Sequence, residues 1–332
     1  MFCVIWGHIY FNTPFHNIVY SFHIPLFFFL SGMNFSRSRY PSLSFFIKRK
    51  IKTLLIPYLK YSFFFWGIWA IISWFSGHTA HSIFYPFLQI FIAQGSDGFL
   101  VHDVPLWFIP CLFLVEFLYF PLSKLDKKAI LTISVILAVI SYLLICHIDF
   151  YDFTLLPWSL DVALASLVFY AVGNLVRSVY IVNAINGIKD INHILLYSLL
   201  LFLVCSFVGN QNGFVSMAHG TLGNNPLVFY LNAFVGIAAV ILLCLYLSKL
   251  SESSTREYRV LNVIKWWGQN SFALMALHNP IKGALVTVVS MVSQLPKEVY
   301  YERFIYSFVF LVLTLLLSSL TIALAKRARC IS

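Results

Sequence analysis

What constrains this chain most is a succession of apolar runs, each close to the length that crosses a bilayer. A hydrocarbon core of ~30 Å needs about 20 mostly apolar residues in a helix. Such runs fall near 18–33, 54–75, 104–120, 129–146, 160–179, 194–207, 227–247, 271–292 and 304–325. With an N-terminal fragment they make ten spans. Backbone in lipid must satisfy its own hydrogen bonds, so the runs predict an all-α polytopic membrane protein. Composition agrees: 60% of the 332 residues are apolar, 10% are charged, and the mean hydropathy is +0.85. Residues 1–332 read as one membrane-embedded domain.

Short cytoplasmic loops retain lysine and arginine. Threading the ten spans so that the chain ends in the cytoplasm gathers eighteen of the 22 basic residues on that side, from Arg37 and Arg39 through Lys124 and Lys249 to Lys326 and Arg327. Only Lys297 and Arg303 fall in outer connections, while Lys60 and Lys282 lie within spans. The formal charge of +10 is therefore mainly a topology signal. It argues for contact with lipid headgroups and against a nucleic-acid partner.

The opening is unusual, because Met1 to Tyr10 supplies about 15 Å of helix, roughly half a membrane. It lacks the basic start and small-residue cleavage site of a signal peptide. The first span reads as truncated, through a misplaced start or a natural shortening. Six scattered cysteines with no C-x-x-C pair indicate core thiols rather than a disulfide or metal framework, and no metal is expected.

The ionisable residues inside the spans carry the functional signal. If "NTPFHN" (12–17) is the outer turn of a helical hairpin, His8 and His23 stand at similar depth on its two arms. Pro25 then loosens the helix just after His23. Each histidine either hydrogen-bonds a neighbouring helix or lines a cavity or pathway, and two on facing arms favour the second. Lys60 and Glu116, toward the cytoplasmic ends of their spans, suggest a structural ion pair. Asp161, in "LPWSLDVAL", can orient a histidine or cap its own helix. Arg177, in "GNLVR", can snorkel to headgroups or join a cationic site. His278 and Lys282 share a helix face by their i, i+4 spacing.

The stretch 34–53, "NFSRSRYPSLSFFIKRKIKT", holds six positive charges and no negative one. A lipid anchor explains such a stretch. The alternative is that Lys48, Arg49 and Lys52 share one face and bind a phosphorylated cytoplasmic ligand, such as a nucleotide-bearing acyl donor.

Taken in order, "VIWGH", "SFHIPLFFFLSG", "FFIKRKIKTLLIPYL", "PLWFIPCLFLVE", "LPWSLDVALASLVFYAVGNLVR" and "GQNSFALMALHNP" resemble the integral-membrane acyltransferase family 3, and within it the fucose 4-O-acetylase-like sugar acetyltransferases. The resemblance covers nearly the whole chain. It implies a ten-helix enzyme of the bacterial inner membrane that moves acetyl from cytoplasmic acetyl-CoA to a hydroxyl of an envelope polysaccharide or its lipid-linked precursor. It matches the family's critical histidine to His8 and the second-helix histidine to His23. It also assigns Lys48, Arg49 and Lys52 to the CoA phosphates. One departure is that the family's cation eleven residues before the first histidine would precede Met1, so either the natural chain is longer or this copy is impaired.

The chemistry can also be argued from the residues. A sugar hydroxyl attacking a thioester must lose its proton, and neutral imidazole, with an unperturbed pKa near ~6.5, suits that task at about neutral pH. His8 is the expected base. His23 can polarise the thioester carbonyl, hold the tautomer of His8 or carry the acetyl group, so direct transfer and an acetyl-histidine relay both stay open. A transporter or flippase of lipid-linked sugars would also use intramembrane histidines and a Lys–Glu pair. It would have no use for the basic stretch as a phosphate cradle.

Overall fold

The computed structural model describes residues 1–10, 13–77, 79–96, 98–147, 156–186, 191–250 and 255–328, without the side chains of 80, 81, 147, 177–186, 255–258 and 260. The helices are α1 (Phe2–Gly7), α2 (Thr13–Tyr20), α3 (His23–Asn34), α4 (Leu43–Lys50), α5 (Ile56–Phe75), α6 (Ala80–Ile92), α7 (Phe108–Leu122), α8 (Lys127–His147), α9 (Leu160–Asn186), α10 (Ile191–Asn212), α11 (Pro226–Leu250), α12 (Thr255–Gln269), α13 (Ser271–Ser293), α14 (Glu298–Glu302) and α15 (Phe304–Arg327). A π-helical turn, Ile51–Leu55, joins α4 to α5 without a break. The strands described are the short β1 (Val215–Ser216) and β2 (Thr221–Leu222).

The protein is an all-α polytopic membrane protein. Among the described residues eight helices are long and apolar enough to cross a membrane, where the sequence suggested ten. The difference lies at the start. The run 18–33 is not one helix, because the chain turns at Ser21–Phe22 and α3 begins at His23. Pro25 lacks the N–H that would bond the Ser21 carbonyl, and it is tolerated in the first turn of α3. The break therefore comes just before His23 rather than after it. The expected turn 12–17 is also displaced, since residues 13–17 open α2. Conversely, the short run 194–207 belongs to a helix of 22 residues.

The chain divides into two compact units, residues 1–23, 188–215 and 223–332 in the first, and 24–187 and 216–222 in the second. In the first, α10 and α11 form a hairpin, and α2 crosses α10 where Gly209 leaves room for Asn17 and Ser21. Asn232 of α11 donates to Ser21 Oγ at 3.3 Å and to the Cys205 carbonyl at 3.1 Å, tying the three helices together. Such interhelical polar contacts stand in for the hydrophobic drive that lipid does not supply.

In the second unit α3 and α9 meet backbone to backbone. A Cβ on Gly32 would lie 2.0 Å from the Tyr170 carbonyl oxygen, and one on Gly173 would lie 2.1 Å from that of Phe29. Asn174 locks the crossing, donating to the carbonyls of Gly32 and Phe35 at 3.0 and 2.8 Å and accepting from Tyr119 Oη at 2.9 Å. Of the cysteines expected in the core, Cys111 and Cys205 are buried, but Cys146 and Cys244 are exposed. A thiol behaves as a small apolar group and can face lipid on a membrane helix at little cost.

Candidate active site

The first unit assembles its site around the end of a short helix. The last carbonyls of any helix lack intrahelical partners, and His8 follows directly on α1. Lys282 Nζ donates to the His8 carbonyl at 3.0 Å, placing a cation where the helix dipole favours one. Residues 278, 282 and 286 recur every four positions, so one stripe of α13 carries them all. Val286 of that stripe packs in a buried cluster with Ile5, Ile9, Phe310, Leu311 and Leu315, holding α1 against α13 and α15.

That packing brings the His8 ring to 5.4 Å from the His278 ring, centroid to centroid. His8 is half-buried and its ring has no hydrogen-bond partner among the described residues, whereas His23 and His278 are buried. A carbonyl oxygen can only accept, which settles two tautomers. His23 donates from Nδ1 to the Val19 carbonyl at 2.8 Å, and His278 donates from Nδ1 to those of Met275 and Leu274 at 2.7 and 3.2 Å. In the neutral ring each Nε2 then carries a lone pair. In His278 that atom is buried and has no hydrogen-bond partner among the described residues.

The hairpin argument for His8 and His23 needs correcting. The ring beside His8 is that of His278, 270 residues along the chain. Tyr20 stands between the other two, its ring 6.3 Å from His8 and 4.6 Å from His23. Helix α2 carries the chain from one histidine to the other, and the two stay within electrostatic reach, with Tyr20 rather than direct ring contact linking them.

The second unit sorts the cations of the basic stretch by what they touch. Arg37 donates to the Tyr40 carbonyl and lies over the Phe120 ring, and Arg39 reaches the Asn34 carbonyl. Lys50 forms a salt bridge with the buried Glu116 at 2.7 Å. Glu116 was expected to pair with Lys60, which instead is exposed. The helix runs unbroken from Leu43 through the π-helical turn, so Lys50 faces α7 while Lys60, nearly three turns on, faces outward. Lys48, Arg49 and Lys52 are exposed and have no carboxylate partner among the described residues, and the Arg49 guanidinium lies 5.6 Å from the Tyr40 ring centre.

Asp161 accepts the backbone N–H of Val162 at 2.9 Å at the start of α9, which corresponds to its capping alternative. Arg177 belongs to α9, but its side chain lies outside the described residues. Sequence reading missed a group of buried polar side chains around the end of α6, among them Gln89, Gln94, Ser96, His102 and Asp103. The visible signal was the polar interruption "QGSDG…HD" between apolar stretches. A family model described as an acyltransferase domain matches residues 1–323. No curated protein and no solved structure matches the chain.

Proposed function

The chain belongs to acyltransferase family 3, and from that premise we propose that this multi-pass membrane acyltransferase moves acetyl from acetyl-CoA to a sugar hydroxyl of a bacterial envelope polysaccharide or its lipid-linked precursor. This reading places it in the fucose 4-O-acetylase-like branch, in the inner membrane with a cytoplasmic C-terminus. The observation that carries the chemistry is the His8–His278 pair: a half-buried imidazole with no hydrogen-bond partner among the described residues, 5.4 Å from a second imidazole with a buried Nε2 lone pair.

In the proposed reaction the sugar hydroxyl attacks the thioester carbon while His8 accepts its proton. The tetrahedral intermediate then collapses, the C–S bond breaks, and the proton on His8 passes to the departing CoA thiolate. A turn of either ring lets His278 Nε2 accept the other ring proton of His8, fixing the tautomer that leaves the reactive nitrogen basic. Lys282 holds the backbone of His8 in place. Lys48, Arg49 and Lys52 supply charge-assisted contacts for the CoA phosphates.

His8→Ala keeps a helix-compatible residue and removes the proton acceptor. Acetyl transfer should fall by at least about a hundredfold while expression and membrane insertion stay normal. Undiminished O-acetylation in cells carrying that variant would overturn the assignment.

A further inference from the structure

The second unit contains a segment that membrane physics does not expect. Helix α6 stops after 13 residues, and residues 93–96 and 98–103 then run without regular structure to a short helical turn at Val104–Trp107 that leads into α7. Most of this stretch is buried, including Ala93, Gln94, Ser96, Leu100, His102 and Asp103. Ala93 and Leu100 have positive φ, 51° and 47°, a conformation that costs non-glycine residues energy and gathers at functional sites. The segment is tightly held, since a Cβ on Gly95 would lie 2.8 Å from the Trp107 ring and 2.9 Å from the Ala218 carbonyl oxygen.

Its depth follows from α5. Tyr58 donates to the Ile90 carbonyl at 2.6 Å, one turn before the segment begins, and Asp103 neighbours the same phenol. Along the continuous helix Tyr58 stands ten residues past Lys48 and six past Lys52, about 15 and 9 Å along the axis. Non-helical backbone at such depth persists where protein buries it or where it lines a polar cavity. Here protein buries it, yet several of its polar side chains are left unanswered. Both ring nitrogens of His102, Oγ of Ser96 and Oε1 of Gln89 are buried without a hydrogen-bond partner among the described residues. Native interiors rarely leave several such atoms together.

We propose that this segment, with Gln89, Ser96 and His102, receives the pantetheine arm of the acyl donor, the polar side chains bonding the arm's amides. The proposal rests on the reading that Lys48, Arg49 and Lys52 hold the CoA phosphates. From pyrophosphate to sulfur the arm has about a dozen bonds, roughly 15 Å when extended, enough to cover the rise of about 9 to 15 Å from Lys52 and Lys48 to Tyr58. Its two amides each offer an N–H and a carbonyl. Gln89 Oε1 accepts, while Ser96 and His102 can donate or accept.

The test uses full-length protein in detergent and compares binding of acetyl-CoA with that of 3′-phospho-ADP, the nucleotide half of coenzyme A without its arm. His102→Ala breaks no hydrogen bond to any described residue, and Ser96→Ala removes a single hydroxyl. Both variants should bind acetyl-CoA several-fold to tenfold more weakly and 3′-phospho-ADP as wild type does, and the retained nucleotide affinity shows that the variant is folded. Unchanged acetyl-CoA affinity, equal loss for both ligands, or a rise confined to the acceptor KM would each overturn the assignment of the arm. Wild-type protein that binds neither ligand would overturn the donor reading itself, and this inference with it.

Discussion

At the scale of the residue, the site depends on which nitrogen of each imidazole is free. His278 donates from Nδ1 to its own helix, and its remaining lone pair faces a chemical task without carrying the reaction. In the proposed mechanism it is a positioning residue for His8. His278→Ala should lower kcat about tenfold, near 1.4 kcal/mol, the scale of one hydrogen bond. The KM for the donor should stay unchanged, and the loss should be the same factor at every pH above the acid limb, because the balance between two neutral tautomers does not depend on pH. His278→Gln, which keeps an acceptor, should recover part of the rate. A KM effect alone, or no rescue by Gln, would contradict the positioning role. That His278 and Lys282 share a face was legible in their spacing. Their partner was not, because no local pattern links residues 8 and 278.

Elements show a similar division. The eight long helices follow from apolar run length, which is local physics. The crossing of α3 and α9 does not, because it depends on two glycines, 32 and 173, each lying against the other helix's backbone. Gly173→Ala places a methyl group 2.1 Å from the Phe29 carbonyl oxygen, and neither backbone can move away alone. The expected cost exceeds the ~1–3 kcal/mol of ordinary overpacking, and the Asn174 bonds to Gly32 and Phe35 should be lost with it. Thermal unfolding of purified protein, with wild type and an Ala substitution at Gly67 as controls, checks this. Gly67 has no atom within 4 Å of its would-be Cβ and should tolerate the change. The exact place of the break before His23 and the burial of the stretch after α6 likewise could not be read. A proline or a polar cluster shows that something interrupts a span, but neighbouring helices decide where the chain turns and whether polar atoms end up inside.

At the scale of the whole molecule, charge bears on both the proposed orientation and the proposed chemistry. Replacing Lys48, Arg49 and Lys52 together by glutamine should raise the KM for acetyl-CoA more than tenfold, since charge-assisted contacts contribute ~1.5–3 kcal/mol each before overlap. The KM for the sugar acceptor should hardly move. Because basic residues also set orientation, a C-terminal reporter must show that the variant inserts as wild type does, and an unchanged donor KM would return the stretch to lipid anchoring. Sequence alone determined the class of the molecule, because hydrophobic run length depends on composition over about 20 neighbouring residues and needs no knowledge of folding. It also singled out His8, His23, His278, Lys282 and the basic stretch, because an ionisable group in an apolar run is conspicuous wherever it packs. Only the tertiary structure decided which of these meet. His8 found His278 rather than His23, and Glu116 found Lys50 rather than Lys60. Partner choice depends on how helices far apart in sequence rotate and slide against one another, and that is settled by small residues, buried clusters and satisfied carbonyls spread over the whole chain.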